Sequence, residues 1–287
     1  MTSTMHETRQ SLTPDEEARL LVAADQTGGA GLRHAVRRWL PVVISVLVAP
    51  LLVLLWMLVR RLDLIHSILL PDFGDAVTAL REVVTDDFFA RHLWRTVSEI
   101  ALGFGLGCAI GLGLGIALSS FPLLRRAYFP LLAGFEAIPG IVLAPVVITW
   151  LGFGLTGKVV QAAIACFFPV FVTTLVGLSM VSDNEMRLMR ILRASRWEVF
   201  RKLRLRSALP AIFGGLKIAI TTAMIGAIVS EFVGSDAGLG FLLLRYKASY
   251  ETPSMFALIF VFGVLGTASF LLIELIERKV IYWRSPS

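Results

Sequence analysis

An all-α integral membrane protein with six transmembrane helices is the fold class predicted by three features of the sequence. First, 56% of the 287 residues are hydrophobic and only 17% are charged. The mean hydropathy of +0.77 exceeds what a water-soluble domain of this length requires. Second, the apolar residues fall in charge-poor blocks of about 20, the length that crosses a hydrocarbon layer of about 30 Å as a helix. Third, basic residues collect between alternate blocks, as they do on the inner side of multi-spanning proteins.

Residues 1–32 are polar and mixed in charge. With no apolar core behind a basic start, they predict a disordered or weakly helical tail rather than a secretory signal. The six spans are expected over residues 40–59, 97–120, 127–151, 158–181, 210–233 and 253–275. Asp75 to Phe89, ahead of the second span, is amphipathic and predicts a short interfacial helix. The second span carries Gly103, Gly107, Gly111 and Gly115 at every fourth residue, with Gly105 and Gly113 beside them. That spacing lines one helix face and lets another backbone approach closely, so a packed bundle is expected.

The basic residues set the orientation. With both termini inside, the inner segments hold sixteen: Arg33, Arg37, Arg38, Arg125, Arg126, eight between Arg187 and Arg206, and Arg278, Lys279 and Arg284. The outer segments hold eight: Arg60, Arg61, Arg81, Arg91, Arg95, Lys158, Arg245 and Lys247. The bias predicts cytoplasmic termini and accounts for the net charge of +6 without nucleic acid, for which there are no aromatic–basic stacking motifs. Cys108 and Cys166 lie inside apolar blocks and read as packing residues. His6, His34, His66 and His92 are scattered, so no metal site is expected. The run Gly152-Phe153-Gly154-Leu155-Thr156-Gly157-Lys158 approaches a phosphate loop, but Val159 stands where Ser or Thr must hold magnesium. No paired carboxylates or nucleophile–base sets suggest catalysis by the chain itself.

The segment from Met180 to Pro210 carries eight basic residues and two helix-start signatures, Ser182-Asp183-Asn184-Glu185 and Ser195-Arg196-Trp197-Glu198. Each Ser can cap a helix while the Glu three residues later returns to the cap N–H. Two short helices with a turn near Arg193–Ser195 are expected. Leu188, Ile191 and Leu192 form an apolar stripe on the first, and Trp197, Phe200 and Leu203 one on the second. Such a pair could serve for docking or for binding anionic lipid headgroups.

Polar residues inside spans are expensive and are candidate sites. Glu136 precedes Ile138-Pro139-Gly140, a break of the kind that lines cavities. Glu136, Pro139, Thr173 and Glu231 are therefore the candidate pathway residues. For Glu136 a structural pair with a neighbouring helix is the competing reading, and for Glu231 hydrogen bonding to the outer loop. Glu99 opens the second span and is expected to snorkel; Gln161 lies in the fourth.

Ala194-Ser195-Arg196-Trp197-Glu198-Val199-Phe200, followed by Ala208-Leu209-Pro210-Ala211 and Gly214-Gly215-Leu216-Lys217, resembles the cytoplasmic signature of binding-protein-dependent ABC importer permeases. It is most similar to the nitrate/sulfonate/taurine-type branch. Ala137-Ile138-Pro139, Leu143-Ala144-Pro145, Phe168-Pro169-Val170-Phe171, Glu231-Phe232-Val233-Gly234 and Gly238-Leu239-Gly240-Phe241 resemble the same branch in the same order. The sequence departs from that pattern at Arg187-Leu188-Met189, where the family reads Glu-Ala-Ala. It departs again at Arg193, where the family has a turn Gly, and at Leu205-Arg206, where it has Leu-Pro. Arg193 must adopt a left-handed backbone at some cost or make another turn.

The resemblance implies a type I ABC importer permease fold, with residues 33–287 as the permease domain and a cytoplasmic helix-turn-helix coupling loop at about 181–209. It implies that Glu185, Leu188, Leu192, Arg193, Ala194, Ser195, Arg196, Trp197 and Phe200 couple to a separate cytoplasmic ABC ATPase dimer. That partner would use ATP and Mg, and the chain itself would bind no cofactor. It further implies an extracytoplasmic solute-binding protein, a second permease subunit (a copy of this chain, or a different one given the departures), contact with membrane lipid, and a bacterial inner membrane. The solute is expected to be small, such as a sulfonate, nitrate or aromatic acid, with pyrimidines and flavins also within the range of related systems. Glu136 on the pathway would repel an anion unless protonated or paired. An ion-coupled secondary transporter is the alternative; it calls for inverted repeats and midplane carboxylates in several spans, and no repeat is visible.

Overall fold

The computed structural model describes residues 47–48, 50–66 and 68–283. The tail at 1–32 and the start of the expected first span lie outside them. Contacts divide the chain between Ser67 and Ile68, and the two parts are described separately. In the first part residues 50–61 are helical, in keeping with the described portion of the expected span. The helix closes with Asp63 at φ 51 and with Leu64 N–H donating to Val59 O at 3.3 Å.

The second part is helical throughout, with no strand among the described residues. Its helices are α1 (Phe73–Thr85), α2 (Asp87–Ser120), α3 (Pro122–Glu136), α4 (Gly140–Leu151), α5 (Leu155–Gly177), α6 (Asp183–Ile191), α7 (Arg196–Val233), α8 (Leu239–Ala248) and α9 (Thr252–Val280). Among the described residues α2, α5, α7 and α9 are long and apolar enough to cross a membrane, and α3 with α4 together form a fifth, broken candidate.

Three expectations change. The interfacial helix stops at Thr85, because Asp86 takes extended backbone and its carboxylate accepts from Phe88 N–H at 3.0 Å, starting α2. The second span therefore begins ten residues early and runs 34 residues, about 51 Å at 1.5 Å per residue. The third span is not one rod: α3 and α4 meet at 92°. Pro139 disfavours helical backbone at the residue before it and removes a donor, so the chain turns there. The second short helix of the Met180–Pro210 segment is not separate from the fifth span. It continues through a π-helical stretch, Val199–Arg204, into one 38-residue helix. Arg206, where the resembled family has Pro, keeps a backbone N–H available for that continuation.

α5 is held between α2 and α7. A Cβ on Gly103 would lie 2.4 Å from Ala162 Cβ, on Gly107 2.4 Å from Cys166 Sγ, and on Gly111 2.7 Å from Phe167 O. Gly105 and Gly113 face open space, so only the first of the two glycine rows forms the seam. On the other side Gly215 abuts Thr173 and Gly226 abuts Ala165. Ala162, Cys166 and Val170 are consequently fully buried.

Gly107→Leu is expected to break the α2–α5 seam and lower the thermal midpoint of the purified chain, by the 1–3 kcal/mol typical of overpacking or more. Gly113→Leu should leave it unchanged; equal effects would remove the seam assignment.

Candidate functional site

Three places hold the residues singled out by sequence. The first is α6, the turn after it and the start of α7. Both predicted capping boxes form: Ser182 Oγ accepts from Glu185 N–H and Ser195 Oγ from Glu198 N–H, each at 3.3 Å. The glutamates return to Ser182 N–H at 2.9 Å and Ser195 N–H at 3.0 Å. Lys202 Nζ, 2.9 Å from Glu198 Oε1, and the Ser195 N–H and hydroxyl hold the Glu198 carboxyl at about 2. The Ser182 N–H and hydroxyl likewise hold Glu185 below the usual carboxylate range. Because both values are depressed on folding, these caps are intact above the ordinary carboxylate range and loosen as pH falls through the folded values.

Between the caps, Arg193 adopts φ 53. Its N–H donates to Arg190 O and Ala194 N–H donates to Met189 O, both at 3.0 Å. This is a Schellman closure with arginine at the position glycine favours, so Arg193 takes the left-handed route at a cost of roughly 1–2 kcal/mol. Leu188, Ile191, Leu192 and Trp197 are all exposed; Leu192 and Trp197 are each 65% exposed. Trp197 and Phe200 stack with ring centroids 5.7 Å apart. The stripe on α6 and Trp197 of the second thus stand uncovered on an element stiffened by two capping boxes, while Phe200 and Leu203 are half-buried and Phe200 packs beside Leu178, Ala208 and Ile212.

The second place is the α3–α4 break. Glu136 and Pro139 share a recess of about 390 Å³ with Gln161, Thr222 and Gly226. Gln161 is nearly fully buried and its Nε2 donates to Gly140 O at 2.8 Å, fastening α5 to the start of α4. Thr173 and Glu231 do not line this recess. Thr173 lies in the α5–α7 seam beside Gly215, its hydroxyl donating to Pro169 O at 2.8 Å.

The third place is a buried polar cluster at the junction of α2, α5 and α7. Glu231 Oε1 accepts from Thr96 Oγ1 at 2.6 Å, and Oε2 accepts from Gly240 N–H at 2.5 Å. Thr96 Oγ1 in turn accepts from Leu239 N–H at 2.8 Å, and His92 Nδ1 accepts from Gly238 N–H at 2.9 Å. Gly238 sits at φ 120, and a Cβ there would fall 2.2 Å from Glu231 Oε1. The loop of the Gly238-Leu239-Gly240 motif is thus wrapped on a carboxylate, the hydrogen-bonding alternative weighed for Glu231.

One turn past Thr96, Glu99 does not snorkel. It is fully buried, 3.0 Å from Arg95 Nε and 3.5 Å from Lys158 Nζ. Lys158, placed in an outer loop by sequence, is itself fully buried and donates to Ser235 Oγ. The only sequence signal for this pair was charge at the edges of two spans, and spacing alone could not bring Glu99 to Lys158. Lys217, near the start of the apolar part of α7, pairs with Glu277 of α9 at 2.6 Å.

Comparison with known proteins bears on the family and the fold. Residues 109–282 match the family model described as "Binding-protein-dependent transport system inner membrane component". The chain is 31% identical to the formylaminopyrimidine transport permease protein ThiX of Halalkalibacterium halodurans, over 70% of this chain and 80% of that one. It is 29% identical to the putative aliphatic sulfonates transport permease protein SsuC of Bacillus subtilis, over 84% and 87% respectively. Its fold is similar to a chain of the MetNI methionine ABC transporter in an inward-facing conformation, with TM-score 0.60 and 21% identity. That match covers 67% of this chain and 96% of the other.

Lys158→Met should leave the buried Glu99 carboxylate with Arg95 as its one remaining cation and destabilise the fold, by up to about 3–5 kcal/mol, read as a drop in thermal midpoint. Adding Glu99→Gln should recover part of the loss; no recovery would show that the two residues act independently.

Proposed function

The chain belongs to the binding-protein-dependent transport system inner membrane components, and on that premise we propose that it forms part of the solute path of an ATP-driven importer by alternating access. In this reading residues 33–287 are the permease domain and both termini are cytoplasmic. Two permease subunits, copies of this chain or this chain with a different partner, enclose the path. A separate ATPase dimer, using ATP and Mg, docks on α6 and the start of α7, and an extracytoplasmic binding protein delivers the solute. The solute is a small organic or inorganic molecule within the range of this branch: a sulfonate, nitrate, an aromatic acid, or a pyrimidine like the one in the name of the Halalkalibacterium relative.

One observation carries the proposal. The exposed apolar residues Leu188, Leu192 and Trp197 stand on an element whose second half, Arg196 onward, is the first turn of a 38-residue helix. The helix is continuous through its π-helical stretch and Pro210, so displacement of a docked surface at Arg196–Phe200 would pass along it into the bundle. The coupling residues Glu185, Arg193, Ala194 and Ser195 then act by shape: two capped helix starts and a fixed turn present the apolar residues in one orientation. At the α3–α4 break, Glu136 and Pro139 line the recess assigned to the path. Carboxylates at the ends of spans also occur in ion-coupled secondary transporters. The buried ones here are engaged by Lys158, Arg95, Thr96 and Gly240, which favours a structural part for them.

Replacing Ala194–Trp197 with Gly-Ser-Gly-Ser should leave the chain folded and abolish retention of an ATPase on gentle purification. Wild-type retention would sink the docking assignment, and a chain that moves solute with an ion gradient and no ATP would overturn the importer reading. Glu136 is exposed at the recess, so Glu136→Gln should alter uptake without altering assembly; unchanged uptake would make Glu136 structural.

A further inference from the structure

We infer that the recess enclosed by α6, the start of α7 and the end of α2 binds the phosphate headgroup of an anionic phospholipid. The recess measures about 730 Å³ and its lining includes Arg190, Arg196 and Arg204 with no carboxylate. None of the three has an ion-pair partner among the described residues. The acids nearest in sequence are already engaged, Glu185 by Ser182 and Glu198 by Ser195 and Lys202. Three arginines therefore line one cavity with no acidic partner, and a guanidinium's planar donor fork suits phosphate oxygens in bidentate geometry.

The remaining walls specify the source of the phosphate. Ile116 and Ser120 belong to the last turns of α2, so the recess lies where a membrane-spanning helix leaves its apolar length. Trp197 and Phe200 supply an apolar wall beside the arginines. A free phosphate ion would use the guanidiniums but has no use for that wall. A phospholipid uses both, with the headgroup among the arginines and the upper acyl chain along Ile116 and Phe200. Basic pockets between helix ends at this level are suited to anionic headgroups, which the adjoining leaflet supplies at high local concentration. A lipid seated there ties α6 to the end of α2 behind the exposed face carrying Leu188 and Leu192. The recess shares Ala194, Arg196 and Trp197 with the surface proposed for ATPase docking; the inference needs α2 to span the membrane but not that docking to occur.

The test titrates the purified full-length chain, with whatever partners it retains, with dioctanoyl phosphatidylglycerol, dioctanoyl phosphatidylcholine or sodium phosphate, reading the thermal midpoint. Phosphatidylglycerol should raise the midpoint saturably and phosphatidylcholine should not. Arg190→Gln with Arg204→Gln should weaken the response about tenfold or more, the loss of two charge-assisted contacts. Should that variant fold poorly, native mass spectrometry of the wild-type chain in an equimolar lipid mixture decides: preferential retention of phosphatidylglycerol supports the site, and equal retention overturns it. A phosphate response matching that of the lipid would assign the recess to a free anion and overturn the proposal. So would a phosphatidylglycerol response that is absent, or identical in wild type and variant. Loss of a retained partner protein in the variant, with the lipid response intact, would give the arginines to that protein instead.

Discussion

Close backbone approach along α5 is the constraint on which the rest of the bundle depends. In a hydrocarbon setting there is no water to drive apolar helices together, so contact is won by packing. Gly103, Gly107 and Gly111 remove side chains from the α2 face that meets Ala162, Cys166 and Phe167, and Gly215 and Gly226 do the same for α7. With α5 gripped from both sides, α2 and α7 acquire a common reference. The α3–α4 break is set against it through Gln161 and Gly140.

The polar cluster works by the opposite logic. Burying Glu99, Lys158 and Glu231 is costly unless each finds partners. Glu99 and Lys158 find each other, and Glu231 finds backbone of a loop that would otherwise be irregular inside the protein. Glu231 and Thr96 take the N–H groups of Gly240 and Leu239, and His92 takes that of Gly238. The loop thus satisfies the carboxylate and the carboxylate satisfies the loop, and α8 is fixed at its start. Where irregular backbone occurs within a membrane protein, internal pairing of this kind is what permits it.

At the opposite end of α7 the design is open rather than closed. Arg196 and Trp197 are exposed in side chain on a capped backbone that is joined to the bundle without a break. Capping boxes on both sides of Arg193 fix the turn despite a residue ill suited to left-handed backbone, because the Schellman hydrogen bonds leave the chain no better route. The same closure occurs at Tyr250, with φ 57, where Glu251 N–H donates to Tyr246 O.

The sequence by itself determined the local and periodic features. Hydropathy located the long helices, the four-residue glycine spacing identified the seam, and Ser-x-x-Glu at 182–185 and 195–198 specified both caps, because each depends on residues within a turn or two of one another. Glu136 and Pro139 were also legible, as a carboxylate beside a breaker. Only the tertiary structure decided what distant residues do together. It turned the third span by 92°, ran the second short helix of the Met180–Pro210 segment into α7, and chose the Gly103 row over Gly105 and Gly113. It also paired Glu99 with Lys158 and Glu231 with Thr96. Residues 59 and 135 positions apart carry no mutual signal in one sequence; the packing of α2, α5 and α7 brings them into contact, and burial then compels them to pair.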